Sequence, residues 1–344
     1  MRALRLLKWK SDPVLSEVAD PEPGPGEVLV RVGGAGACHS DLHVMREFEG
    51  GAPWGPPLTL GHENAGWVAA LGDGAKGVEV GQAVAVYGPW GCGTCGRCRL
   101  GAENYCEDRD AAPLTGGLGA DGGMAEYLLV PAARHLLPLP DGLEPAEAAP
   151  LTDAGLTPYH AVRRSWPKLP PGSTAVVIGA GGLGHIAVQI LKATTAAKVI
   201  AVDLRPDALE LARAHGADLT LPSDEHAAAE VRAATGGRGA DVVLDFVGAD
   251  ATLRLGAAAA RTVGDLTVVG IAGGTLPVSF RGIPYEVSVQ TTYWGTRPEL
   301  AEVLDLAARG LIRPRVTTYP LDRAMDAYHD LEAGRLTGRA VIVP

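Results

Sequence analysis

The stretch STAVVIGAGGLGHIAVQ (173–189) constrains the fold of this 344-residue chain more than any other. An apolar run of strand length ends on Gly179. Gly179, Gly181 and Gly184 then fall in G-x-G-x-x-G register, with Gly182 and Leu183 completing the turn, and a helical pattern starts at about Gly184. The next strand, KVIAVD (198–203), closes on Asp203. A glycine-rich surface turn would match the three glycines alone. The strand before, the helix after and the acid ending the next strand make this a dinucleotide-binding fingerprint. The first glycine permits the tight turn, the second lets backbone approach a pyrophosphate, and the third lets helix pack on strand. The helix N-terminus offers its unpaired N–H groups to the phosphates. Asp203 would accept hydrogen bonds from the ribose hydroxyls and repel a 2′-phosphate, which favours NAD over NADP. Arg205 is a counter-signal, able to grip that phosphate.

The alternation continues downstream. Helices at 206–216, 223–236 and 251–262 and strands at 240–248 and 265–273 predict a doubly wound parallel sheet in an α/β domain over 151–287. Upstream the texture is β-rich, with strands expected at 26–38, 64–71, 81–88 and 124–131 and an irregular glycine-rich stretch between Cys106 and Met124. A helix is expected over 153–164, with Pro158 near its start. After 288 the alternation stops, and helices near 298–309 and 321–333 precede a last strand, GRAVIVP. We expect this tail to rejoin the β-rich part. The catalytic domain would then be 1–150 plus 288–344, with the nucleotide domain inserted.

Four of the five cysteines crowd into GPWGCGTCGRCRLGAENYCED (88–108). Cys92, Cys95, Cys98 and Cys106 have the spacing C-x2-C-x2-C-x7-C, which suits four thiolates closing a tetrahedron around zinc. Two disulfides are the alternative, disfavoured in a reducing compartment. A closed tetrad leaves no open coordination position, so this metal would be structural. Net charge is −10 with no Lys/Arg run, which argues against a nucleic-acid partner. The N-terminus lacks a signal peptide's apolar stretch, and no window reaches the roughly 18 apolar residues of a membrane span. A cytoplasmic protein is expected.

The fifth cysteine, Cys38, stands in GACHSDLH, and His62 in LTLGHENAG. Each alone reads as an ordinary core or structural residue. With the cysteine tetrad and the glycine fingerprint, in this order over almost the whole chain, they resemble the zinc-dependent medium-chain alcohol dehydrogenases. YGPWGCG, PLTDAGLTPYHA and YWGTR are most similar to the bacterial NAD-linked secondary alcohol dehydrogenases. The resemblance implies a GroES-like β-rich catalytic domain beside a Rossmann coenzyme domain, two zinc ions per chain, NAD, and a homotetramer.

It also implies roles. Cys38, His62 and Asp153 would hold the catalytic zinc, Asp153 standing where relatives use Cys or Asp; a helix N-cap is the alternative for it. Either anion leaves the site with the same formal charge. Asp41 would orient His62 through the other ring nitrogen, and Glu63 would lie near the metal. Ser40 would take the alcohol proton, and His43 would pass it by way of the coenzyme ribose towards water. His39 would help hold the pyrophosphate. Trp54, Leu118, Tyr293 and Trp294 would wall the substrate pocket. The implied activity interconverts secondary alcohols and ketones, with a primary or aryl alcohol dehydrogenase as the alternative.

Overall fold

The computed structural model describes residues 1–48 and 54–344. The chain divides into two compact units, Met1–Asp153 with Gly295–Ala308 and Pro314–Pro344, and Ala154–Trp294 with Arg309–Arg313.

The second unit is built on six strands, all parallel, in the order Leu219–Pro222, Lys198–Asp203, Thr174–Ile178, Ala240–Asp245, Ala260–Val268, Ser288–Thr291. Thr174–Ile178 and Ala240–Asp245 are buried at every residue, as near-continuous apolar strands covered by helices on both faces should be. The chain starts in the middle, winds to one edge, and returns to build the other. The order therefore reverses between Thr174–Ile178 and Ala240–Asp245, and helix Gly184–Thr194 leaves from the end of the first of these strands. This is the doubly wound sheet expected from the sequence.

Two boundaries differ. The helix expected over 251–262 ends at Ala259, and Ala260–Val268 is already strand. Thr262 and Val263 are β-branched and suit a strand better than a helix end. The tail expected to leave at 288 contributes one more strand first, because Ser288–Thr291 pairs with Asp265–Val268, and the chain changes units at Gly295.

The first unit carries a sheet in the order Leu136–Pro138, Ala83–Val86, Glu63–Leu71, Val28–Ala37, Arg339–Val343, Val316–Pro320, with Tyr127–Val130 also on Val28–Ala37. A three-stranded sheet of Val14–Glu17, Arg2–Leu6 and Leu58–Thr59 adds to it. Val28, Val30 and Val32 point into the core while Arg31 faces out, the two-residue period of a half-buried strand. From Gly33 to Ala37 every residue is buried, where the strand runs towards Cys38. The C-terminal strand lies antiparallel beside it, Ala340 opposite Ala37. Chain ends far apart in sequence thus meet next to the first residue of the site. No helix among the described residues is long and apolar enough to cross a membrane.

Candidate metal and coenzyme sites

Helix His39–Arg46 starts where the buried strand stops, with Cys38 as its N-cap. Asp41, in the first turn, turns back and is fully buried. Its Oδ2 accepts the Cys38 N–H at 2.9 Å and the Tyr328 hydroxyl at 3.0 Å, and its Oδ1 lies 3.1 Å from His62 Nδ1. Nδ1–H therefore donates to Asp41, and Nε2 is turned to the other side, 3.5 Å from Asp153 Oδ2. Donor atoms of Cys38, His62, Glu63 and Asp153 all lie within 4.8 Å of one another. One thiolate, one imidazole nitrogen and one carboxylate fit zinc's preference for S, N and O donors. In the helix that follows, Leu156–Arg164, the N-cap position is Gly155, two residues beyond Asp153.

Charges around the site favour ligation. Burial pushes the Cys38 thiol up, but Arg339 and then His62 outweigh it and bring it down to about 7. Burial works against a charged His62, yet Asp41 and Asp153 hold its protonation well above the ordinary imidazole range. A thiol already drawn towards thiolate, and a proton held on His62 by neighbouring carboxylates, leave a place that a divalent cation can take by displacing that proton. Glu63 faces Arg339, with Nε donating to Oε2 at 3.0 Å and Nη2 to Oε1. Burial drives the Glu63 carboxyl up, against the pull of Arg339. A Cβ on Gly36 would sit 2.0 Å from Glu63 Oε2, so only glycine leaves room for the pair under this strand.

Arg339 and Tyr328 escape the sequence reading. Both are fully in the interior, and both reach the site from the C-terminal tail. The one sequence signal is a charged residue opening an otherwise apolar strand, RAVIV. Tyr328 is kept neutral because burial and then the Asp41 carboxylate push its hydroxyl well above the usual phenol range, so it stays a donor.

The cysteine tetrad also assembles, with all four Sγ atoms within 4.8 Å of one another and none in a disulfide. Backbone N–H groups point at sulfur: Cys95 to Cys92 at 3.3 Å, Cys98 to Cys95 at 3.5 Å, and Cys92 to Cys106 at 3.4 Å. The Thr94 hydroxyl, then backbone N–H donors, lower the Cys92 thiol to about 6. Such donors stabilise thiolates, the form that binds metal. Cys98 lies deeper, and burial lifts it to about 12.

At the coenzyme fingerprint each glycine has its own reason. Gly179 adopts φ +83°, open to glycine at little cost. A Cβ on Gly184 would lie 1.9 Å from the Gly179 carbonyl, whereas one on Gly181 meets nothing within 4 Å, leaving space for a ligand to approach. Leu183 is the N-cap of Gly184–Thr194, with Gly182 before it in the turn. Asp203 ends its strand and accepts the Ala180 N–H at 2.7 Å and the Arg205 N–H at 2.8 Å, fastening the turn. Arg205 is half-buried, with its guanidinium 3.7 Å from Asp207. The donor set and the open space at Gly181 suit a dinucleotide.

The other expected residues lie as follows. His39 is exposed at the start of its helix, and Ser40 Oγ is 3.5 Å from Cys38 Sγ. His43 Nδ1 is 2.7 Å from Glu47 Oε1. Trp54 packs with Trp9 and Phe48, ring centroids 5.5 Å from each, so it belongs to an aromatic cluster. Leu118 is half-buried. Tyr293 is exposed and Trp294 buried, their rings edge to face at 6.1 Å, and Trp294 takes φ +52°, rare for a bulky side chain.

Residues 24–141 match the family described as alcohol dehydrogenase GroES-like domain, and 182–309 match zinc-binding dehydrogenase. The chain is 38% identical to an NAD-dependent alcohol dehydrogenase of Sulfurisphaera tokodaii, across 100% of both proteins. Its fold matches the crystal structure of an alcohol dehydrogenase from Aeropyrum pernix with a TM-score of 0.93, 37% identity and full coverage of both chains. It also matches acetophenone reductase from Geotrichum candidum in complex with NAD, with a TM-score of 0.86 and 33% identity, covering 100% of this chain and 97% of that one.

Proposed function

Because the chain belongs to the zinc-binding alcohol dehydrogenase family, we propose that it interconverts secondary alcohols and their ketones. The general activity is that of an NAD-dependent alcohol dehydrogenase. When bound, zinc supplies a Lewis acid for the substrate oxygen and NAD a hydride acceptor. Cys38, His62 and Asp153 hold the catalytic metal, and Asp41 fixes the imidazole so that Nε2 stays aimed at it. The tetrad Cys92, Cys95, Cys98 and Cys106 holds a second, structural metal. Ser40, beside Cys38, takes the alcohol proton, and His43, one turn further along the helix, carries it outward. The observation that carries this reading is the convergence of the Cys38, His62 and Asp153 donors.

Gly179, Gly181, Gly182, Leu183 and Gly184 receive the pyrophosphate, with His39 as a further contact, and Asp203 receives the ribose hydroxyls. Asp203→Ser is expected to lower kcat/KM for NAD by about 10- to 100-fold, the worth of a charged hydrogen bond, while NADP gains. Initial rates with the two coenzymes check this, and wild-type rates equal for both would contradict it.

The secondary-alcohol assignment is supported by the likeness to an acetophenone reductase. A secondary carbinol needs space for two carbon substituents, and each CH2 buried there contributes about 0.8 kcal/mol. In an NADH-absorbance panel, 2-butanol and 1-phenylethanol should exceed 1-butanol and benzyl alcohol in kcat/KM. The reverse order would favour the primary or aryl reading, with an aldehyde product. We place the enzyme in the cytoplasm as a homotetramer.

A further inference from the structure

We propose that Glu47 is the proton outlet of the site, taking from His43 the proton that alcohol oxidation releases; this rests on the roles given above to Ser40 and His43. Ser40, His43 and Glu47 follow one another at spacings of three and four along His39–Arg46 and its C-cap, which puts them on one helix face. That face runs from the buried Cys38 to solvent. Ser40 is half-buried, the His43 side chain is 27% exposed and the Glu47 side chain 67% exposed. His43 Nδ1 lies 2.7 Å from Glu47 Oε1, so Nδ1–H donates to this carboxylate and Nε2 keeps its lone pair.

The step balances. A proton arriving at Nε2 makes the imidazolium. The Nδ1–H bond then breaks, an O–H bond forms on Glu47, and the imidazole is neutral again. Glu47 gives the proton to water, and exchange at the exposed ring edge restores the first tautomer. No electron moves, and the net result is one proton delivered to solvent. An exposed i,i+4 pair contributes little to stability, so folding alone gives this glutamate no role.

The test compares wild type, Glu47→Gln and His43→Ala with 2-butanol at saturating NAD in weak buffer, with and without added imidazole. Glu47→Gln should lose about 3- to 10-fold in kcat/KM, a fraction of a full general-base effect, keep its thermal midpoint, and recover with imidazole. A loss that imidazole does not restore would overturn the outlet, since displaced packing explains it equally well. If His43→Ala loses activity and Glu47→Gln does not, the outlet is wrong and the relay stands. If neither loses activity, the relay fails and the outlet with it.

Discussion

His62→Ala should lower alcohol oxidation by about a thousandfold or more, because it removes the nitrogen donor of the catalytic metal and with it several kcal/mol of transition-state stabilisation. The fold should persist. Asp41 would lose one of its three donors but keep the Cys38 N–H and the Tyr328 hydroxyl, so its buried carboxylate is not abandoned. The cysteine tetrad is a separate cluster and should retain its metal. Steady-state rates, with zinc content and a thermal melt on the same sample, check the prediction. A variant that stays within tenfold of wild type would remove His62 from the site.

Arg339→Ala should have the largest effect on stability. The guanidinium is 3% exposed and is bonded to Glu63, which is fully buried. Removing it leaves the buried Glu63 carboxyl without its partner, which costs about 3–5 kcal/mol once that carboxyl is ionised. For a unit of this size that is a thermal midpoint lower by about 6–20 °C. The pH dependence has a definite sign. Burial raises the folded Glu63 carboxyl to about 8 even beside Arg339, against about 4.3 in an unfolded chain. Without Arg339 the folded value rises further. A raised group contributes stability that is complete below its unfolded value and is lost as pH rises through the folded one. The deficit of Arg339→Ala should therefore be smallest near pH 4–5 and grow as pH rises past 8. Melts across that range check it, and a deficit that shrank with rising pH would contradict the pairing. The double change Arg339→Met, Glu63→Leu should recover most of the loss, since an apolar pair leaves no charge stranded.

What the sequence reveals depends on how local the physics is. The glycine fingerprint is legible because Gly179, Gly181 and Gly184 act within one turn, and the structure gives each a distinct reason. The cysteine tetrad is legible for the same cause: its spacing is its geometry. Cys38 and His62 are a harder case. Each looks like any buried residue, and in the sequence only the likeness of the whole chain to a family joins them to Asp153. Arg339 and Tyr328 were beyond reach. They meet Glu63 and Asp41 across 276 and 287 residues, and only the antiparallel pairing of the last strand with Val28–Ala37 brings Arg339 there. Trp54 reads as a lone loop aromatic, while Trp9 and Phe48, its neighbours in space, gave no hint of the cluster. The strand starting at Ala260 was hidden by an alanine-rich run that suits a helix equally well.

One chain should hold two metals with different tasks, at Cys38, His62 and Asp153 and at the cysteine tetrad. Zinc counted per chain by elemental analysis, on protein purified without chelator, tests it most directly. Wild type should carry two zinc ions, one at each cluster, and His62→Ala one. One zinc or none in wild type, or the same number in both proteins, would contradict it.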